Sequence, residues 1–212
     1  MKKGFSLSEV LIALGIIGVV AAITLPPLVH NFQKLVLKNQ YKRVYSNYSN
    51  ALQKYVADNE VPDCYYGTGG LVDNHSGCVQ FYNTLMSQYL KSLKYCENNA
   101  LASGCIPKYK AYVSNDGGCR GFSENKINNS NKVFILNDGS SFICYNNGRS
   151  CNMALFQVDI NGKKGPNKGS YDLFAFAIQR IGDTLKLIPH SGCFPYTKGG
   201  LVKNQDISEI YK

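Results

Sequence analysis

The stretch Phe5-Ser6-Leu7-Ser8-Glu9-Val10-Leu11-Ile12-Ala13-Leu14-Gly15-Ile16-Ile17-Gly18-Val19-Val20-Ala21-Ala22-Ile23-Thr24-Leu25, ended by Pro26-Pro27, decides how the rest of the chain is read. Glu9 is its only ionisable side chain. About 20 apolar residues, rising about 1.5 Å each as a helix, reach across roughly 30 Å of hydrocarbon. The segment therefore reads as membrane-spanning. A secretory signal peptide also opens on lysines, but its apolar core is only about 7–15 residues long and a small-residue cleavage site follows it. Here the core is longer, and the small residue, Gly4, stands in front of it, between Lys2-Lys3 and Phe5.

Lys-Lys-Gly directly ahead of Phe-Ser-Leu-Ser-Glu resembles the class III leader of type IV prepilins and of type II secretion pseudopilins; the resemblance covers residues 1–27. It implies a membrane peptidase that cuts after Gly4 and methylates Phe5 as the new N-terminus. It also makes Glu9 the glutamate that lies fifth in the mature chain, and it places Pro26 where many members kink the helix. Physics gives Glu9 a reason of its own, because an unpaired carboxylate at membrane depth costs several kcal/mol. Paired with the free amine of Phe5 on a neighbouring subunit, it would neutralise both charges and set the axial register of assembly. The alternative is that it snorkels to the headgroups.

Counted from Phe5 the chain keeps 208 of its 212 residues. Roughly 150 of them lie beyond the helix, enough for one domain with its own core. The formal charge is +9, and loss of Lys2 and Lys3 with the leader leaves +7, a moderate basic excess. Flanking lysines stay cytoplasmic, so the anchor sits in the bacterial inner membrane with its head in the periplasm or outside the cell. All eight cysteines, Cys64, Cys78, Cys96, Cys105, Cys119, Cys144, Cys151 and Cys193, lie beyond the apolar segment. In an exported head an even number predicts up to four disulfides. Cys96 with Cys105 and Cys144 with Cys151 are the local pairs. No CxxC or Cys/His cluster supports zinc. No Ser/His/Asp or Cys/His arrangement supports an enzyme, and His75 reads as an exposed loop residue.

Beyond Pro27 the helical period continues through Leu28, Phe32 and Leu35, then Tyr41, Val44, Tyr45, Tyr48, Leu52 and Tyr55, until Pro62. This predicts one long helix over about 6–59, interrupted near Pro26, whose second half lies against the head through its Tyr and Leu stripe. Lys38, Lys42 and Arg43 between the aromatics raise a nucleic-acid surface as the competing reading. Regular helical spacing favours the buried face. Residues 61–130 are rich in Gly, Asn, Ser, Tyr and Cys, and there Phe81, Leu85, Tyr89 and Leu93 predict a helix over 78–95.

From Lys132 the pattern turns to strands. Val133-Phe134-Ile135-Leu136 and Ser141-Phe142-Ile143-Cys144-Tyr145 flank Asn137-Asp138-Gly139-Ser140, a hairpin signature. Strands are also expected over 153–160, 174–178 and 184–188, with Gly182-Asp183 as a turn. The fold class that follows is α+β and pilin-like. A long N-terminal helix, transmembrane in its first half, packs on a small antiparallel sheet of about four strands in a disulfide-rich head. The expected division is a leader over 1–4, a transmembrane and assembly helix over 5–27, its amphipathic continuation over 28–60 and an extracytoplasmic head over 61–212.

The loop Asp159-Ile160-Asn161-Gly162-Lys163-Lys164-Gly165-Pro166-Asn167-Lys168-Gly169-Ser170-Tyr171-Asp172 sets oxygen-bearing side chains around turn-forming glycines, as a hard cation requires. It resembles the Asp-x-Asn-Gly…Gly-Pro-Asn…Asp segment of pseudopilin-like proteins. That resemblance implies calcium, with Asp159, Asn161, Asn167 and Asp172 as ligands. Lys163, Lys164 and Lys168 oppose it. A turn whose Asp and Asn side chains cap backbone amides without metal stays equally open. Cys193 is expected to tie the tail back to the domain.

The reading is a structural subunit, a pseudopilin or minor pilin of a type II secretion or type IV pilus filament. Its partners would be a prepilin peptidase and methylase, other pilin or pseudopilin subunits, the inner membrane and an assembly platform. Gly15, Gly18 and Ala22 would let neighbouring helices approach closely. The alternative is a filament-borne binding module for DNA uptake or surface adhesion, which Lys108, Lys110, Arg120 and Lys126 would favour if they shared one face.

Overall fold

In this computed structural model, residues 4, 6–67, 70–73, 75–109, 132–144, 151 and 153–189 are described. The dominant element, α1, spans Leu7–Asp58 and runs through Pro26 and Pro27 without a break. The interruption expected near Pro26 is absent. Two missing N–H groups remove only two ladder bonds, and helix propagates cooperatively from the long segments on either side. The chain divides into two compact units, Met1–Val36 and Leu37–Lys212.

In the first unit the apolar side chains of α1 are bare, from Leu7 at 78 % exposure to Leu25 at 53 % and Phe32 at 64 %. Leu28, Phe32 and Leu35 were expected to begin the buried stripe, and all three are exposed. Their spacing explains the correction. Each precedes a buried residue, Leu37, Tyr41 or Val44, by nine positions, which is two and a half helical turns. The sequence therefore carries two apolar stripes out of phase.

In the second unit Leu37, Tyr41, Val44, Tyr48, Ala51, Leu52 and Tyr55 form the buried face of α1. The Tyr48 ring stacks on both Phe142 and Phe156, at 6.0 Å from each, and those two rings stack on one another at 4.4 Å. Tyr41 meets Phe174 edge-on at 4.7 Å. A second helix, α2 (His75–Thr84), brings Phe81 against Tyr55 and Tyr82 against Phe142. It passes into a π-helical turn, Leu85–Tyr89, closed by Leu90 N–H donating to the Leu85 carbonyl. The helix expected to continue to residue 95 ends there. Lys91 takes φ 52°, and the next residues pair as a strand, leaving Leu93 exposed.

The sheet has eight strands rather than about four: β1 (Cys64–Gly67), β2 (Gly70–Asp73), β3 (Ser92–Cys96), β4 (Val133–Leu136), β5 (Ser141–Cys144), β6 (Leu155–Asp159), β7 (Leu173–Ile181) and β8 (Thr184–Pro189). It is mixed, because β1 pairs parallel to β7 while the other pairs are antiparallel. The missed strands lie where composition is Gly-, Asn- and Cys-rich and period-2 alternation is weak. The β4–β5 hairpin forms as expected, with Gly139 at φ 84° and Asp138 Oδ1 accepting from the Ser140 N–H at 2.9 Å.

Alternation along the strands gives the sheet two faces. Phe134, Phe142, Phe156, Phe174 and Phe176 face α1 and α2. Val133, Ile143, Leu173 and Ala175 face the other way, under a strap of residues 97–109 that contributes Ala100, Cys105, Ile106 and Tyr109. Among the described residues three disulfides hold the connections: Cys64–Cys78, Cys96–Cys105 and Cys144–Cys151. The second and third are the local pairs that their spacing predicts. Cys119, Cys193 and the tail lie outside the described residues.

Phe142 is fully buried at the centre of the aromatic stack. Phe142→Ala is expected to lower the stability of the detergent-solubilised protein in urea unfolding by about 3–5 kcal/mol. Leu93→Ala, on an exposed edge, should shift it by under about 0.5 kcal/mol.

Candidate functional site

At the start of α1, Ser6 and Glu9 close on one another. The Ser6 backbone N–H donates to Glu9 Oε2 at 2.8 Å and the Ser6 hydroxyl to the same oxygen at 2.9 Å, while Glu9 N–H approaches the Ser6 hydroxyl at 3.4 Å. This is a capping box, Ser-x-x-Glu, in which residue and helix terminus satisfy each other. Ser6 is a partner the sequence reading overlooked, although the spacing Ser6-Leu7-Ser8-Glu9 was legible. Gly4 is exposed. Phe5 and residues 1–3 lie outside the described residues, and Pro26 sits within the unbroken helix.

The second candidate is the connection from β6 to β7. Asp159 ends β6 and is paired in register with Leu173 at the start of β7, so the intervening residues form a loop closed by Ile160 N–H donating to the Asp172 carbonyl at 2.8 Å. Asp159 and Asp172 are both fully buried. The Tyr109 hydroxyl donates to Asp159 Oδ2 at 2.6 Å, and Asn161 N–H to Asp159 Oδ1 at 3.1 Å. Asp172 accepts from the backbone N–H groups of Asn167 at 2.6 Å and Lys168 at 2.7 Å. The amide-capping reading of this loop is thus realised by both carboxylates. Gly162, at φ +65°, sits so close to the β4–β5 turn that a Cβ would lie 2.5 Å from the Gly139 carbonyl oxygen.

Capping leaves charge and oxygen over. Burial, reinforced by the Asp172 charge, holds the Asp159 carboxyl well above its ordinary range. Burial likewise raises Asp172, against the opposing pull of the Lys168 and Asn167 amides. The loop lysines do not form ion pairs with either. Among the described residues the one ion pair is Arg180 with Asp183, Lys163 and Lys164 are exposed, and Lys168 lies over the Tyr171 ring at 5.7 Å. Asn161 Oδ1 and Asn167 Oδ1 are buried with no hydrogen-bond partner. So is the hydroxyl of Ser141, which stands directly opposite Asp159 on β5 and is 1 % exposed. Buried, unpaired oxygens beside two carboxylates form a donor set for a hard cation such as calcium. Asp159, Asp172, Asn161 and Asn167 are the residues that would hold one. Such a cation would supply the positive charge that the pair lacks. Among the described residues no three or more His, Cys, Asp or Glu cluster as a metal site, so a cation here would rest on two carboxylates and neutral oxygens.

His75 opens α2. Of the basic residues Lys108, Lys110, Arg120 and Lys126, the last three lie outside the described residues, as do residues 110–131 as a whole.

Residues 1–25 match the family described as the prokaryotic N-terminal methylation motif. No curated protein and no solved structure matches the chain. With the long apolar helix behind it, this N-terminus fits the class III leader of prepilins and pseudopilins. The motif supports a pilin- or pseudopilin-like substrate of a prepilin peptidase, and α1 is long and apolar enough to anchor it in a membrane.

The raised carboxyls set the sign of a pH effect. Between about pH 4, where unfolded carboxyls titrate, and the higher pH at which these two ionise in the fold, the native state binds more protons than the unfolded one. Stability should therefore fall as pH rises through that window in EGTA, giving a lower Tm at pH 7.5 than at pH 5. Asp159→Asn, which still accepts from Asn161 N–H, should flatten the dependence in thermal melts.

Proposed function

We propose that this chain is a structural subunit, a pseudopilin or minor pilin, of a type II secretion or type IV pilus filament. It is anchored in the inner membrane by α1, cleaved after Gly4, methylated at Phe5 and then assembled through α1 into a helical filament. The observation that carries this reading is the bare apolar surface between Leu7 and Val36. At about 25 cal/mol per Å², so much exposed apolar area must be covered by lipid or by neighbouring helices. The methylation motif at its head indicates a subunit rather than an enzyme. Lys2 and Lys3 support an orientation with the disulfide-bearing head outside the cytoplasm.

In this reading Glu9 exchanges its Ser6 partner for the new amine of Phe5 on an adjacent subunit. The β6–β7 loop holds calcium through Asp159, Asp172, Asn161 and Asn167, with the unpartnered amide oxygens as its support. Calcium there would fix the loop between β6 and β7.

Intact mass of protein from sheared filaments and from envelopes tests the processing and the place. The expected species lacks residues 1–4 and carries one added methyl group; a retained leader in both fractions would sink the reading. Glu9→Gln should leave cleavage intact and cut filament incorporation at least tenfold. Normal incorporation would remove Glu9 from assembly.

A further inference from the structure

Tyr109 belongs to no stretch that the sequence marks out, yet its hydroxyl makes a side-chain hydrogen bond between fully buried partners. It is 1 % exposed, fifty residues from Asp159 in sequence, and it is carried by the strap of residues 97–109. The strap is not free to wander. The Cys96–Cys105 disulfide closes its first part, Cys105 N–H donates to the Ala100 carbonyl at 2.8 Å, and Ala100, Cys105 and Ile106 are buried on the outer face of the sheet. A second point of approach lies nearby. Lys163 Nζ, in the β6–β7 loop, is 3.6 Å from where a Cβ on Gly104 would stand. Strap and loop therefore meet twice, once through a buried hydroxyl and carboxylate and once at their rims.

The hydroxyl occupies only one lone pair of Asp159 Oδ2, and a carboxylate oxygen accepts more than one partner. A donor that fixes a ligating oxygen from behind orients it and strengthens its affinity for a metal. Ser141, whose buried hydroxyl has no partner, stands opposite Asp159 in register on the neighbouring strand. We propose that Tyr109 is the positioning residue of a calcium site at Asp159 and Asp172, so that binding the cation and locking residues 97–109 over the sheet are one event. This rests on the calcium reading of the loop given above. It goes further in making the strap, rather than the loop alone, the element that responds to the ion. The chemistry is simple. The cation draws Asp159 and Asp172 together, Asp159 holds the Tyr109 hydroxyl, and the disulfide passes that restraint to the rest of the strap.

The test is hydrogen exchange and calcium binding on the full chain in detergent micelles, with calcium chloride against EGTA and magnesium as control. In the wild type, calcium should slow exchange of the amides at 97–109 together with those at 160–172. Tyr109→Phe should melt within a few degrees of wild type in EGTA, bind calcium about tenfold or more weakly, and lose the calcium-dependent protection at 97–109. If Tyr109→Phe does not fold, Asn167→Ala, at the far side of the loop, serves instead: it should weaken calcium and reduce protection of both segments in parallel. A wild type that binds no calcium overturns the cation site itself. A wild type that binds calcium while 97–109 exchange unchanged, or a Tyr109→Phe protein with wild-type affinity and protection, leaves the site standing and overturns the role of Tyr109.

Discussion

The head is built on the burial of one face of α1. From Leu37 to Tyr55 its buried side chains recur mainly at spacings of three and four, and Tyr41, Tyr48 and Tyr55 among them meet an aromatic of the sheet or of α2. Tyr48 is the pivot, because its ring stacks against Phe142 on β5 and Phe156 on β6 at once. Aromatic pairs of this kind contribute about 0.5–1.5 kcal/mol beyond the area they bury. Remove the helix and the phenylalanine-rich face of the sheet keeps only the cover that α2 gives through Tyr82. The helix that is long and apolar enough to cross a membrane is thus, in its second part, also the spine of the head.

The opposite face of the sheet is organised by polar groups rather than by size. Gln157 and Asp159 replace apolar residues on β6, Ser141 does so on β5, and all are buried. Such groups are costly unless satisfied. The strap and the β6–β7 loop satisfy Asp159, which Tyr109 and Asn161 reach from two sides, while the Ser141 hydroxyl and Gln157 Oε1 have no partner. Burial raises both carboxyls, and the Asp172 charge raises Asp159 further, so this face lacks a positive charge that the lysines close by do not supply.

How much of this the sequence disclosed follows from how local each feature is. The apolar segment, the stripe from Tyr41 to Tyr55, the β4–β5 hairpin and the two short-range disulfides depend on residues near one another, and their periodicity or turn chemistry was readable. Strand β3 depends on β4, far along the chain, and β1 and β2, though they pair with each other, lie in Gly-, Tyr- and Cys-rich segments that alternate too weakly to declare themselves. Leu93 misled for the same reason: its spacing from Tyr89 is helical, but the turn at Lys91 and pairing with β4 take precedence. At the loop, the four oxygen donors were visible as a pattern. Their cover was not, because nothing around Tyr109 announces a partner fifty residues on.

The capping box at Ser6 and Glu9 has a consequence for selectivity. A carboxylate already holding two donors from its own chain is not an open hook for any passing cation. In the proposed assembly, where Glu9 trades Ser6 for the Phe5 amine of a neighbour, the stagger would be set by the difference between two bonded states, and a mismatched subunit would leave again quickly.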